Sequence, residues 1–126
     1  MLRRTRPRDF WQSVTGTLEG NESPRQTAER ELLEETGIEF SGRLQDCLHS
    51  ERFPIIPPWR TRYAPGVHYN REHWFGLCLP RRRTIRLNPV EHSQLRWLPF
   101  LQAAALASSW TNRNAILHIV PSIHAF

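Results

Sequence analysis

Short stretches of alternating apolar and polar residues recur along this chain, and such alternation predicts half-buried β-strands. Five stretches are predicted as strands: residues 10–14, 43–50, 72–79, 84–87 and 94–98. The stretch at 72–79 has the apolar density of a buried strand. Residues 53–65 hold four prolines, and proline lacks the backbone donor that a sheet requires. This segment is therefore predicted as an extended loop.

Residues 21–37 carry the signals of a helix at both ends. Ser23 is a suitable N-cap, Pro24 suits the first helical position, and Gln26 completes a capping box. Gly37 can adopt the left-handed conformation that closes a helix. The boundaries of the first helix are thus predicted from both sides.

Two further helices are expected near the end of the chain, an alanine- and leucine-rich one at 99–108 and a last one capped by Thr111. The first two residues look like the end of a strand, while 3–9 are polar and typical of a loop. Strands and helices in this order predict an α+β fold, a mixed sheet between helices, in a single domain of residues 1–126.

Composition and charge narrow the kinds of partner. No apolar run approaches the roughly 20 residues that cross a bilayer, so no membrane association is expected and the cytoplasm is the default compartment. The net charge is +5, and all 17 basic residues are arginine. This charge favours an anionic partner, either nucleic acid or a small phosphorylated molecule.

The first predicted helix carries like charges where they are unfavourable. Glu31 lies one turn from Glu34 and Glu35, and all three stand near the negative end of the helix dipole. Clustered carboxylates of this kind bind hard divalent cations such as Mg²⁺. The alternative is an exposed acidic face that is paired with arginines such as Arg25 and Arg30.

The stretch GTLEGNESPRQTAERELLEETGI at 16–38 matches every defined position of the Nudix signature, and the chain is therefore similar to the Nudix hydrolases. The resemblance implies a mixed sheet between helices and hydrolysis of a phosphoanhydride with Mg²⁺ or Mn²⁺. It makes Glu31 and Glu35 metal ligands and catalytic residues, and Glu34 either a third ligand or a residue just behind the ligands. Structural roles in the motif are implied for Gly16, Glu22, Arg30 and Gly37.

Segments outside the signature resemble the bacterial Nudix hydrolases that act on 7,8-dihydroneopterin triphosphate. The segments are DFWQSVTG, RYAPGV at 62–67, HWF at 73–75, EH at 91–92 and SWTNRNAI at 109–116. This resemblance implies release of pyrophosphate and formation of the monophosphate, a reaction of folate biosynthesis.

The same resemblance makes Glu91 a third metal ligand or the general base, and it keeps His92 near the site. Substrate contacts are implied for Arg4, Thr15, Phe53, Pro54, Ile55, Ile56 and Ser109. Members of this group begin with an apolar strand, of which this chain carries only the end, so a Nudix fold without its N-terminal strand is expected.

Two other functions fit the residues. One is a nucleotide-cleansing Nudix enzyme that acts on dATP or oxidised dGTP, because a pterin triphosphate resembles a purine triphosphate. The other is a catalytically silent Nudix domain that binds nucleotide or nucleic acid through its arginines. The intact Glu31, Glu34 and Glu35 disfavour the silent domain, and nucleic acid with it.

Overall fold

The computed structural model describes residues 1–39, 43–55 and 57–123, and that part of the chain contains five strands and three α-helices. The elements are β1 (Leu2–Arg4), β2 (Trp11–Gln12), α1 (Pro24–Thr36), β3 (Gln45–Pro54), a 3-10 helix (Pro57–Arg62), β4 (Tyr69–Gly76), β5 (His92–Leu95), α2 (Phe100–Leu106) and α3 (Trp110–Ile123). None of the described helices combines the length and the apolar character that a membrane span requires.

The first sheet has the strand order β2-β1-β5, with both pairs antiparallel. Leu2 is buried at its centre and pairs with Gln12 on one side and Leu95 on the other. The prediction that residues 3 and 4 belong to a loop is wrong, because Arg3 and Arg4 continue β1 and pair with β5, with a shift of register between them. This extension sets Arg4 opposite His92.

The second sheet is the antiparallel pair β3 and β4. β3 runs on to Pro54, which pairs with Tyr69, so the predicted loop at 53–65 is wrong at its start. An edge strand tolerates a proline because one side of its backbone needs no ladder bond. The 3-10 helix occupies the middle of the same segment, and its residues are Pro57–Arg62.

Two apolar patterns in the sequence did not become regular strand. Leu48 lies at an irregularity in β3, with a φ of 52° and 89% of its surface exposed, although its strand was predicted correctly. No strand forms at 84–87 within the described residues. There the Arg86 N–H donates to the carbonyl of Thr36 at 2.9 Å, at the end of α1.

The predicted limits of α1 are confirmed. Ser23 and Gln26 form the reciprocal capping box, and Gly37 closes the helix with a φ of 75°. The inward face differs from an ordinary amphipathic helix, because the buried residues of α1 are Thr27, Glu35 and Thr36. A helix that buries a carboxylate instead of an apolar stripe is organised around that group.

The C-terminal helices α2 and α3 pack on each other, and α3 also packs on β3 and β4. α3 begins at Trp110, one residue before the predicted cap, so the capping role of Thr111 is wrong. Ser109 caps the helix instead, because its hydroxyl accepts the N–H of Asn112 at 3.0 Å. Thr111 is buried, and its hydroxyl donates to Glu72 of β4 at 3.3 Å.

Candidate active site

Glu35 is the most deeply buried carboxylate of the site, with 1% of its surface exposed. One of its oxygens accepts the backbone N–H of Thr15 at 3.0 Å, which joins α1 to the loop after β2. Burial and then the negative charge of Glu31 raise the pKa of Glu35 to about 8. At neutral pH this group therefore holds a proton unless a cation replaces it.

Glu91 and His92 approach Glu35 from the start of β5. One ligand atom from each of the three residues lies within 4.8 Å of the others. The Thr5 N–H donates to the carbonyl of Glu91 at 2.9 Å, so the end of β1 fixes the backbone that carries this glutamate. Two elements distant in sequence, α1 and β5, thus bring two carboxylates to one point.

Glu31 lies at the same site, on the preceding turn of α1. Burial raises the pKa of Glu31, and the Arg30 guanidinium opposes the rise. The negative charges of Glu34 and Glu91 also raise the pKa of Glu31, and the charge of Glu31 in turn raises the pKa of Glu35. Gly16 lies directly against the Glu31 side chain, where a Cβ would overlap the carboxylate. The absent side chain at position 16 therefore leaves the space that Glu31 fills.

Arg30 connects the loop before α1 with the acidic residues of the helix. Its Nε and one terminal nitrogen donate to the two oxygens of Glu22 at 2.7 and 2.9 Å. The other terminal nitrogen donates to Glu31 at 2.8 Å and to Glu34 at 3.3 Å. The Arg30 hydrogen bonds lower the pKa of Glu22 to about 2. Half of the Glu34 side chain stays exposed on this side of the helix.

His92 is neutral in this setting. It is almost completely buried, its Nε2 lies 3.3 Å from the Gln12 amide nitrogen and 3.7 Å from Glu35, and Nδ1 has no hydrogen-bond partner among the described residues. Burial lowers the pKa of His92, and the positive charge of Arg4 lowers it further. A neutral ring adds no positive charge beside the carboxyl groups of Glu35 and Glu91, which fits a site for a divalent cation.

A sequence model of the NUDIX domain matches residues 1–119. The chain belongs to the Nudix family. The Nudix membership expected from the signature is therefore confirmed, and with it the α+β fold class.

Named relatives resemble the chain over most of its length. It is 46% identical over 123 residues to the dihydroneopterin triphosphate diphosphatase of Escherichia coli, covering 95% of this chain and 81% of the relative. The enzyme of the same name from Haemophilus influenzae is 42% identical over 121 residues, covering 92% and 74%.

The solved structure of the E. coli dihydroneopterin triphosphate pyrophosphohydrolase has a TM-score of 0.89 at 45% identity, covering 96% of this chain and 84% of that one. A Nudix hydrolase structure from Listeria monocytogenes, at 24% identity and a TM-score of 0.74, shares the fold. The predicted resemblance to the pterin triphosphate enzymes is confirmed.

The predicted substrate residues of this Nudix domain come from separate segments, and Arg4 and Thr15 interact with the carboxyl groups. Arg4 is half-buried at the end of β1, and its charge acts on Glu35 and Glu91. Thr15 contacts Glu35 through its backbone and not its hydroxyl. Ser109 uses its hydroxyl to cap α3 and lies 3.0 Å from the Thr111 hydroxyl.

The remaining predicted substrate contacts come from the end of β3. Phe53 and Pro54 are its last residues, and Ile55 is buried directly after it. The Ile55 N–H donates to the carbonyl of His68 at 2.8 Å, which holds this corner against the segment before β4. Ile56 lies outside the described residues.

Sequence reasoning missed two residues of the 3-10 helix. Trp59 lies under the Arg4 guanidinium, 4.6 Å from ring centre to Cζ, and Arg62 approaches the same ring at 4.8 Å. Arg62 opens the RYAPGV segment that supported the resemblance, so a signal was present for it. Trp59 had no such signal, because its segment was predicted as an irregular loop.

Proposed function

We propose that this protein hydrolyses 7,8-dihydroneopterin triphosphate to the monophosphate and pyrophosphate, a reaction of folate biosynthesis in the cytoplasm. The observation that carries the proposal is the convergence of Glu35 and Glu91 beside Arg4, in a chain 46% identical to an enzyme named for this substrate. A site for metal-bound polyphosphate requires carboxylates that hold the metal and a positively charged side chain that binds phosphate.

Mg²⁺ is the proposed cofactor, and Mn²⁺ would suit the same oxygen ligands. Glu31, Glu35 and Glu91 are the residues proposed to hold it, with Glu34 behind them toward Arg30. The raised pKa values of Glu31 and Glu35 support this assignment, since burial and neighbouring carboxylates disfavour both negative charges and a bound cation would stabilise them. A bound divalent cation supplies neutralisation of phosphate oxygens and favours deprotonation of a water.

The protein groups have separate roles in the proposal. Arg4 donates hydrogen bonds from its guanidinium to a substrate phosphate. Attack of water on phosphorus requires a proton acceptor, and we assign Glu91 to this role because it reaches the site from the β5 side, away from α1. Glu35 stays fixed by its hydrogen bond from Thr15, so its carboxylate keeps one orientation through the reaction.

The pterin is assigned to the corner at the end of β3. Phe53, Pro54, Ile55 and Ile56 would provide its apolar contacts, while Thr15 and Ser109 would provide polar ones. The burial of Ile55 and the hydrogen bond to His68 support a preformed corner at this position. A preformed apolar surface with few polar groups is typical of sites for small ring systems.

The test is a panel of triphosphates with MgCl₂, followed by release of pyrophosphate. We expect 7,8-dihydroneopterin triphosphate to be hydrolysed with a much higher kcat/KM than dATP or oxidised dGTP. Equal values for the pterin and dATP would overturn the substrate assignment and favour the nucleotide-cleansing enzyme.

The matched pair for the carboxylate assignment is Glu35→Gln and Glu29→Gln. Both lie on α1, but Glu29 is partly exposed, and within the described residues its ion pair is with Arg25 at 3.8 Å. Glu35→Gln is expected to lose activity by roughly a hundredfold or more, since it removes a ligand charge. Glu29→Gln should match wild type. Unchanged turnover in Glu35→Gln would refute the carboxylate site.

A further inference from the structure

Trp59 contacts the guanidinium groups of both Arg4 and Arg62, and the charges of Glu35 and Glu91 act on Arg4. The Cζ of Arg4 lies 4.6 Å and the Cζ of Arg62 lies 4.8 Å from the centre of its ring. Phe10 packs edge-to-face on the same indole at 5.7 Å. The ring is thus held from the side of β2 while it holds both arginines by cation–π contacts.

Most side-chain N–H groups of Arg4 and Arg62 have no acceptor among the described residues. Arg4 donates from Nε to the carbonyl of Arg6 at 2.7 Å, and this is the one hydrogen bond of its side chain within the described residues. Across the same part of the chain, the Arg62 side chain has no hydrogen bond or ion pair, and it is exposed. The two positive charges repel each other, while Glu35 and Glu91 attract Arg4. Two guanidiniums on one ring, whose charges act on each other, suit an anion with several phosphate groups.

We propose that Arg62 is a second phosphate-binding residue of this site. Together with Arg4 it clamps the polyphosphate chain of the substrate, and Trp59 positions both guanidiniums. The inference deepens the proposed function and rests on it only in that the substrate carries a polyphosphate. The clamp contacts the charged chain and leaves the pterin to the corner after β3.

A guanidinium on an aromatic ring is not by itself a binding site. Arg52 lies 4.1 Å from the ring centre of Tyr69, on the exposed β3–β4 pair. What distinguishes Arg62 is the second arginine on the same ring and the carboxylates that act on that arginine. Arg52→Ala therefore removes the same charge and the same kind of contact without touching the clamp.

The test measures binding of inorganic pyrophosphate by calorimetry in saturating MgCl₂. Arg62→Ala should weaken binding by about tenfold or more, because charge-assisted hydrogen bonds are lost. Arg62→Lys should recover only part of this loss, since a point charge cannot replace the bidentate fork. Wild-type affinity in Arg62→Ala, or an equal loss in Arg52→Ala, would overturn the proposal.

The positioning role of Trp59 has its own comparison. Trp59→Leu should weaken pyrophosphate binding, and Trp59→Phe should restore most of it because an aromatic face returns. Equal affinities for the Leu and Phe variants would remove Trp59 from the clamp. Circular dichroism spectra of all variants are compared with wild type to check that each is folded.

Failure of the clamp and failure of the substrate assignment give different results. If the pterin triphosphate is not hydrolysed but pyrophosphate binding depends on Arg62, the clamp stands and the substrate assignment falls. If the pterin triphosphate is hydrolysed and Arg62→Ala keeps the wild-type KM and pyrophosphate affinity, the clamp falls alone.

Discussion

Gly16 packs so closely on Glu31 that a Cβ at position 16 would overlap the carboxylate. The contact connects the first residue of the Nudix signature with a proposed metal ligand 15 residues later. Position 16 therefore requires glycine because a larger residue would not fit there, and not because of its backbone conformation. The signature therefore specifies a shape around Glu31 as well as a set of ligands.

Gly16→Ala should displace the Glu31 carboxylate and lower kcat by about ten- to a hundredfold, since misplacement of a reacting group by about 1 Å has effects of this size. The measurement is steady-state pyrophosphate release in MgCl₂. Thr17→Ala is the control, because it shortens an exposed side chain in the same loop and leaves the carbonyl that Arg30 contacts. Full activity in Gly16→Ala would show that Glu31 has room to move without loss.

The stability of the metal-free protein should fall as pH rises through the range in which Glu35 titrates. Its pKa is about 8 in the folded state against 4.5 in the unfolded chain, so the folded state binds more protons between these values. The free energy of unfolding that Glu35 contributes therefore decreases with pH, by up to about 1.4 kcal/mol per unit. Glu35→Gln removes this contribution.

Urea unfolding in EDTA at several pH values checks this expectation. The free energy of unfolding of Glu35→Gln, minus that of wild type, should increase steadily from acid pH to pH 8. The same difference for Glu29→Gln should stay constant. Added MgCl₂ should abolish the difference in slope, since a cation stabilises the charged carboxylate. A pH-independent difference would mean that Glu35 is ionised in the metal-free fold.

The sequence predicted the parts of this structure that depend on local signals. The capping box at Ser23 and the left-handed Gly37 specify both ends of α1 through neighbouring residues alone. The helical spacing of Glu31, Glu34 and Glu35 predicted that their carboxylates cluster and bind a cation. A resemblance to the family added Glu91, which no local pattern connects to α1.

What escaped prediction depends on contacts between distant segments. Arg4 was placed in a loop because its neighbours are polar, yet pairing with His92 makes it part of β1. Trp59 lies in a proline-rich segment that local rules read as irregular, and its partners Arg4 and Phe10 are some 50 residues away. Such contacts are set by tertiary packing, which overrides local preference.

Arg30→Lys should lower activity by roughly tenfold, although the charge is kept. Lysine cannot donate to both oxygens of Glu22 while it also reaches Glu31, as the guanidinium does. The loop before α1 would lose its tie to the helix, and Glu31 would lose an orienting bond. Activity and calorimetric Mg²⁺ binding measure the two effects, and Arg25→Lys on the same helix is the control. Equal activity and equal Mg²⁺ affinity in Arg30→Lys and wild type would show that the Arg30 guanidinium contributes only its charge.

Thr111→Val should destabilise the fold by about 1–2 kcal/mol, because it leaves a largely buried carboxylate short of a donor. Glu72 accepts bonds from Trp74 at 3.0 Å and from Thr111 at 3.3 Å, and these bonds tie β4 to α3. Burial raises the pKa of Glu72, so loss of the Thr111 bond should raise that pKa further and weaken α3 docking most at alkaline pH. Thermal unfolding at pH 6 and pH 9 measures both effects. Thr84→Val, at an exposed position, controls for the substitution itself. If Thr111→Val matched Thr84→Val at both pH values, the hydroxyl would contribute nothing to this junction.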